Sequence, residues 1–127
     1  MERIVHNKLS CFLQPWLSPA QSGFKRNDGT IAQLTRLTQV WVEAIDRSQY
    51  VGVVFFDLPK AFNKVWHKDL LHKLRAAGVC GSAHKWFTSF LADRQQAMMV
   101  DRYRSTFLPL HAGMPQGAIL RPLLFSL

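Results

Sequence analysis

The chain has 127 residues, of which 48% are hydrophobic and 19% are charged, a balance that excludes an intrinsically disordered protein and suits one domain with its own core. Lysine and arginine outnumber aspartate and glutamate by 16 to 8, which favours nucleic acid as a partner. No apolar run reaches the roughly 18 residues of a membrane span and no secretory signal opens the chain, so we expect an intracellular protein, cytoplasmic or nuclear, with no membrane partner.

Two helices are predicted in the first part of the chain. Apolar residues at helical spacing between residues 1 and 17 predict a helix that Pro15 ends. Residues 18–30 are polar and contain glycine, which is typical of a loop. A second amphipathic helix follows, and its start is predicted to be capped by Asp28 or Thr30. Its apolar positions step by three or four: Ile31, Leu34, Leu37, Trp41 and Ile45.

The segment from Tyr50 to Asp57 is rich in β-branched and aromatic residues, which predicts a buried strand. Asp57 stands at the end of this strand, and the next cation along the sequence is Lys60. Because an ionised carboxylate is costly to bury without a partner, Asp57 needs an explanation. Two explanations are open from these residues alone. Either Asp57 caps a turn at the edge of a sheet, or it holds a metal ion.

The second half of the chain predicts two helices, a β-hairpin and a short last helix. Gly78 ends the third helix and Ser82 is expected to cap the fourth. The hairpin turns at Asp101-Arg102, and Pro122 begins or bends the last helix. The order of elements predicts an α+β fold. The four tryptophans are expected in the core, and the two histidines His67 and His72 as surface or packing residues.

Two short segments are not explained by packing alone: FFDLPKAFNKVWH, residues 55–67, and GMPQGAILRPLLF, residues 113–125. Both resemble sequence blocks of the reverse transcriptases of non-LTR, LINE- and jockey-like retrotransposons. AQSGF, residues 20–24, resembles an upstream element of the same family. The resemblance extends over nearly all of residues 1–127. It implies a partial reverse transcriptase domain, a right-hand polymerase segment of fingers and palm with a short antiparallel sheet packed on helices.

The resemblance also implies an activity, its cofactor and its partners. Such an enzyme adds dNTPs to a DNA primer on an RNA template, and two Mg²⁺ ions neutralise the reacting phosphates. Asp57 matches a catalytic metal ligand, and the backbone carbonyl of Leu58 also faces a metal in the family. Phe62 matches the residue whose bulk excludes a ribose 2′-hydroxyl. From these residues alone, Phe62 could equally belong to the core.

Further positions match the family's contacts with nucleotide and template: Pro115, Gln116 and Gly117. Gly117 lets the backbone approach a ligand closely, although a tight turn alone would also explain the glycine. Lys25, Arg26 and Lys60 are weaker candidates for nucleic-acid contact. As isolated positions they are equally explained as solvated surface charges.

Several features depart from the family pattern. The sequence contains no adjacent pair of aspartates and stops at Leu127, before the family's second carboxylate block. We therefore expect no polymerase activity from this chain alone. Asn63 stands where the family usually has aspartate, and Pro59 stands where serine is common. Arg121 occupies a position that is usually small, so its side chain is expected to need new space.

Two other functions remain open at this point. One is a basic nucleic-acid-binding module that performs no chemistry. The other is a translated relic of a mobile element, which would fold poorly because its apolar end is exposed. The residues expected to be exposed at that end are Leu123, Leu124, Phe125 and Leu127.

Overall fold

The computed structural model describes residues 1–25 and 27–127. These residues form two units. The first contains Met1–Trp16 and Lys60–Leu127, and the second contains Leu17–Pro59. In the described part of the chain, no helix is both long and apolar enough to cross a membrane.

The first unit contains the helices α1 (Glu2–Leu13), α3 (His67–Ala76), α4 (Gly81–Leu91) and α5 (Arg121–Phe125). A short 3-10 helix, Gln14–Trp16, follows α1, as the proline at position 15 predicts. The predicted end of α3 at Gly78 is confirmed, because Gly78 has a φ of 92°. The amides of Gly78 and Val79 donate to the carbonyls of Arg75 and Leu74, which is the hydrogen-bond pattern of a glycine-terminated helix.

The core of the first unit lies between these four helices. α1 contributes Leu9 and Leu13, and α4 contributes Phe87 and Leu91. The remaining buried apolar residues are Leu70, Leu74, Ala77, Val79, Met114, Leu120, Leu123 and Leu124. The expectation of an exposed apolar end is therefore wrong, since Leu123 and Leu124 of α5 belong to this core. Hydrophobic burial thus holds residues 113–125 against the helices.

Two short antiparallel sheets complete the first unit. β1 (Gln95–Gln96) pairs with β4 (Leu108–Pro109), and β2 (Met99–Val100) pairs with β3 (Tyr103–Arg104). The predicted hairpin turn at Asp101-Arg102 is confirmed, with Val100 opposite Tyr103. Asp101 has a φ of 47°, a conformation that aspartate tolerates better than most residues.

The second unit contains one long helix, α2 (Thr30–Asp46). The predicted helix is confirmed, but neither predicted cap is correct, because Gly29 is the capping residue and makes no side-chain hydrogen bond. Asp28 instead pairs with Arg36 on α2 at 3.0 Å. For α4, the predicted cap at Ser82 is also wrong, since Cys80 takes that position.

The predicted buried strand from Tyr50 to Asp57 is not present. Residues 50–57 have neither helical nor strand structure, and all of them are exposed, Phe56 with 90% of its surface. β-Propensity reflects packing against neighbouring strands rather than an intrinsic backbone preference. Among the described residues, no strand pairs with this segment, so its apolar side chains have no sheet to pack against.

The expectation that the tryptophans lie in the core is wrong: none of the four belongs to the buried core, although Trp86 packs against it. Trp16 is 56% exposed and Trp66 is 66% exposed. Trp41 and Trp86 are half-buried, and the Trp86 ring stacks on Phe90 with centroids 5.3 Å apart. Large aromatic residues are seldom fully buried, because a core must provide space on every side of the ring.

Candidate functional site

The candidate catalytic residue, Asp57, lies in the second unit. It follows the apolar run Val53–Phe56 and is exposed, as is Leu58 after it. The rigid strand end that the sequence predicts for Asp57 is absent, so the carboxylate is not held by a sheet in this unit. Exposure leaves its oxygens accessible to a cation from solvent.

A two-metal site requires several carboxylate ligands held close together at rigid positions. Among the residues that the structure describes, no three His, Cys, Asp or Glu side chains form a group that could hold a metal ion. Asp57 supplies one carboxylate, and one carboxylate does not hold two ions. The described residues therefore do not fit a complete magnesium site.

Phe62 lies in the first unit, on the short 3-10 helix Ala61–Asn63. Lys60 precedes this helix with a φ of 56°, and its carbonyl accepts a hydrogen bond from the amide of Asn63 at 2.9 Å. The left-handed residue reverses the chain direction and leads directly into the helical turn. Phe62 is half-buried and Lys60 is exposed.

The structure brings Phe62 together with the glycine- and proline-rich segment, residues 113–117. The amide of Met114 donates to the carbonyl of Phe62 at 3.0 Å, and the amide of Gly113 donates to the carbonyl of Val65 at 2.8 Å. An isolated antiparallel bridge joins Trp66 to Ala112. The two segments that the sequence singles out are thus joined through their backbones, although about fifty residues separate them.

His67 reinforces this junction, a role that the sequence analysis missed. Its Nε2 lies 2.7 Å from the carbonyl oxygen of Gly113 and donates to it. His67 is half-buried at the first position of α3. The histidine at the end of the FFDLPKAFNKVWH block was the available signal, because the family pattern also has histidine there. The five-residue spacing between His67 and His72 gave no indication that His67 binds the second block.

The two glycines of the second block have different structural requirements. Gly113 has a φ of 92°, and a Cβ at this position would lie 3.1 Å from both Cα and O of Asn63. Gly117 has a φ of 81°, and no heavy atom beyond its own chain neighbours lies within 4 Å of its Cβ position. The amide of Ala118 donates to the carbonyl of Pro115 at 3.2 Å. Gly113 therefore permits close backbone contact, whereas Gly117 permits the turn that exposes Gln116.

The aromatic ring of Phe62 has two neighbours from α5. The Phe125 ring lies 4.5 Å away between centroids, and the Arg121 guanidinium carbon lies 4.6 Å from the Phe62 centroid. A guanidinium at this distance from a ring is attracted to its negative face. Arg121 also donates from Nη2 towards Oδ1 of Asn63 at 3.4 Å. The space that Arg121 needs is thus provided beside the Phe62 ring.

The weaker basic candidates are less well defined. Lys25 is exposed in the second unit, and Lys60 is exposed in the first. Arg26 lies outside the described residues. The backbone carbonyl of Lys25 accepts from the amide of Asp28 at 3.4 Å, and the side-chain hydrogen bonds described near it belong to other residues. Ser22 donates to Gln33 at 2.6 Å, and Arg36 donates to Ser22 at 2.9 Å.

Comparison with known proteins identifies similar sequences along the whole chain. The family model described as reverse transcriptase (RNA-dependent DNA polymerase) matches residues 1–127. The chain is 35% identical over 128 residues to the RNA-directed DNA polymerase from mobile element jockey of Drosophila melanogaster, a match covering 99% of this chain and 14% of that relative. It is 33% identical over 127 residues to the probable RNA-directed DNA polymerase from transposon BS of the same species, covering 98% and 14% respectively.

A third relative, the jockey polymerase of Drosophila funebris, is 32% identical over 129 residues, which is 100% of this chain and 14% of that protein. The chain therefore spans 14% of the length of these three relatives. No solved structure matches the chain significantly.

Proposed function

The chain belongs to the reverse transcriptase family, and we propose that it serves as the nucleotide- and template-contacting segment of an RNA-directed DNA polymerase from a non-LTR retrotransposon. The relatives named above are polymerases of such elements. In the intact enzyme, the substrates would be a DNA primer, an RNA template and dNTPs. Residues 55–67 and 113–125 would supply the contacts to the reacting nucleotide.

The observation that carries this proposal is the junction between the two blocks. The carbonyl of Phe62 accepts a hydrogen bond from the amide of Met114, and the carbonyl of Gly113 accepts one from Nε2 of His67. Phe62 and His67 are both half-buried. These bonds fix the backbone on both sides of the Phe62 ring, and Gly117 exposes Gln116 on the turn that follows. A steric gate requires this kind of rigid support, because small displacements of a positioning group reduce discrimination.

Under this proposal Phe62 excludes the 2′-hydroxyl of a ribonucleotide, and Gln116 with Gly117 contacts the nucleotide and template. Pro115 stiffens the turn because its φ is fixed. Asp57 and the Leu58 carbonyl would be ligands for one metal ion in the intact enzyme. A divalent metal is expected as the cofactor of the intact enzyme, but the residues that the structure describes do not complete the site. We accordingly expect no primer extension from the 127-residue chain alone.

The test is a jockey polymerase in which this chain replaces the matched segment. Primer extension on an RNA template is measured for the chimera and for its Asp57→Asn variant. The substitution removes a carboxylate charge without changing side-chain size, so extension is expected to fall about a thousand-fold or more. Asp46→Asn, at the exposed end of α2, is the matched control and is expected to retain full activity.

A second variant of the same chimera tests the gate. Phe62→Val shortens the side chain and is expected to raise the use of ribonucleotides relative to deoxynucleotides by roughly ten-fold. Retained extension in Asp57→Asn would show that Asp57 is not a catalytic ligand. Unchanged sugar discrimination in Phe62→Val would assign Phe62 to packing alone.

One observation favours a second function, a basic nucleic-acid-binding module without chemistry. In the sequence, 12 of the 16 lysines and arginines and four of the eight acidic residues belong to the first unit, so the whole net charge of +8 belongs to it. Such a module predicts that the chain alone binds RNA, with an affinity that falls steeply as salt rises. An affinity independent of salt would exclude it.

A further inference from the structure

We propose that the hairpin from Met98 to Phe107 is a contact surface for single-stranded nucleic acid, with Tyr103 as a base-stacking platform and Arg102 and Arg104 as phosphate contacts. This surface shares no residue with the junction at Phe62. The inference extends the proposed function, because it adds a contact that no residue of the two family-like blocks provides.

The hairpin presents Tyr103 in a defined geometry. β2 and β3 pair directly across the two-residue turn Asp101-Arg102. The hairpin is closed at its base by Ser105, whose amide donates to the Met98 carbonyl at 2.9 Å and whose Oγ accepts from the Met98 amide at 2.9 Å. Val100 and Tyr103 are opposite each other and therefore lie on the same face.

Neither face of this hairpin is covered by the protein. Residues 98–107 are all exposed, and Tyr103 exposes 84% of its surface. An isolated two-stranded hairpin with no buried face has little stability in water. The exposed Met98, Val100 and Tyr103 form an apolar and aromatic face that a bound base would cover.

The charges at the hairpin tip are available to a ligand. Among the described residues, one ion pair has its atoms within 4.0 Å, and it joins Arg36 to Asp28. Neither Arg102 nor Arg104 is therefore in an ion pair within the described chain. The Arg104 guanidinium carbon lies 4.9 Å from the centroid of Phe107 and is held at the surface. Arg94 differs, because its Nε donates to the carbonyl of Phe90 at 2.8 Å.

Charge complementarity favours nucleic acid over a protein partner or a second copy of this chain. The hairpin belongs to the unit that carries all of the net charge of +8, so a second copy would bring like charge to the same face. Single-stranded nucleic acid combines a phosphate backbone for the arginines with bases that stack on an exposed aromatic ring. Duplex would bury its base faces and leave Tyr103 without a stacking partner.

The test measures binding of the full 127-residue chain to a fluorescent oligouridine of about twelve nucleotides by anisotropy. Tyr103→Ala is expected to weaken binding by roughly ten-fold, since stacking on one base is lost. Tyr103→Phe keeps the ring and is expected to bind as the unchanged protein does. Tyr50→Ala is the matched control, because Tyr50 is the other tyrosine, is also exposed, and belongs to the other unit.

The salt dependence of RNA affinity distinguishes the contribution of base stacking on Tyr103 from that of phosphate contacts by Arg102 and Arg104. Between about 50 and 200 mM salt, the double variant Arg102→Gln/Arg104→Gln is expected to lower the slope of log affinity against log salt by about 1.4, since each phosphate contact on a single strand contributes about 0.7. Tyr103→Ala is expected to leave that slope unchanged. The control, Arg3→Gln/Lys8→Gln, removes two exposed charges from α1 and is expected to change the slope less.

Four results would overturn the inference. The first is unchanged affinity in Tyr103→Ala while the wild-type chain binds, which leaves the function proposed for Phe62 and Gln116 intact. The second is equal loss in Tyr103→Ala and Tyr50→Ala. The third is a change in the oligomeric mass of Tyr103→Ala on size exclusion while its RNA affinity stays unaltered. This result would assign the hairpin face to self-association. Absence of RNA binding by the wild-type chain would overturn this inference and the binding-module function together, but not the chimera result.

Discussion

At the scale of single residues, substitutions of Gly113 and Gly117 separate two energetic costs. One is the backbone strain of a side chain at positive φ, and the other is the steric contact of a new Cβ with a neighbouring backbone. Both glycines have positive φ, so an alanine at either position adopts a conformation that costs about 1–2 kcal/mol. At Gly113 the new Cβ would also contact the Asn63 backbone at 3.1 Å. We therefore expect Gly113→Ala to lower the free energy of unfolding by about 2–4 kcal/mol.

Gly117→Ala serves as the control for the backbone strain alone, with an expected loss of about 1–2 kcal/mol. Urea denaturation followed by circular dichroism measures both values in the 127-residue chain. A larger loss in Gly113→Ala locates the additional cost at the junction with Asn63. Equal losses would mean that the junction adjusts freely, and the rigid support proposed for Phe62 would then be absent.

The sequence predicted the residues of this junction but not the contacts that form it. Phe62, Pro115, Gln116 and Gly117 were singled out because two short segments resemble sequence blocks of the reverse transcriptase family. The hydrogen bond from His67 to Gly113 and the position of Arg121 beside Phe62 join residues about fifty or more positions apart. Such contacts depend on how α3 and α5 pack, which no local pattern specifies.

At the scale of elements, helices were more predictable than strands for a physical reason. A helix satisfies its backbone hydrogen bonds within one segment, so the apolar spacing of α2 and the glycine after α3 were sufficient to predict them. A strand requires a partner elsewhere in the chain. Residues 50–57 have strong β-propensity, yet no described strand pairs with them, and they remain exposed.

Helix α2 is anchored by the pair between Asp28 and Arg36, which makes its unit sensitive to acid. Partial desolvation by itself raises the pKa of Asp28, but hydrogen bonds from Arg36, the Gly29 amide and Ser22 lower that pKa further, and the net shift is downward. A carboxylate with a lowered folded pKa stabilises the protein above its unfolded pKa of about 3.9. The contribution is lost as pH falls through the folded pKa.

We therefore expect Asp28→Asn to melt at a lower temperature than the wild type near neutral pH, and the difference to shrink below about pH 4. Thermal unfolding followed by circular dichroism at several pH values measures this difference. Asp57→Asn is the control, because Asp57 is exposed in the same unit and makes no ion pair within 4.0 Å in the described chain. A difference that does not change with pH would exclude a role for the Asp28 charge.

At the scale of the whole molecule, charge and exposed apolar surface are distributed differently along the chain. The net charge of +8 belongs to residues 1–16 and 60–127, whereas residues 17–59 have equal numbers of acidic and basic side chains. The unit without net charge carries the exposed run Val53–Phe56. Repulsion between like net charges opposes association in solution. The exposed run Val53–Phe56 favours association, yet it belongs to the unit that has no net charge to oppose it.

This distribution predicts self-association of the purified chain through residues 53–56. An exposed run of β-branched and aromatic residues can pair with the same run of another copy. Phe56→Lys is expected to lower light scattering at micromolar concentration several-fold, because a charge is placed where side chains would pack. Ile31→Lys on α2 is the control, since Ile31 is 83% exposed but its backbone is already hydrogen-bonded within a helix. An equal decrease in both variants would indicate unspecific apolar contact, and a monomeric wild-type chain would refute the prediction.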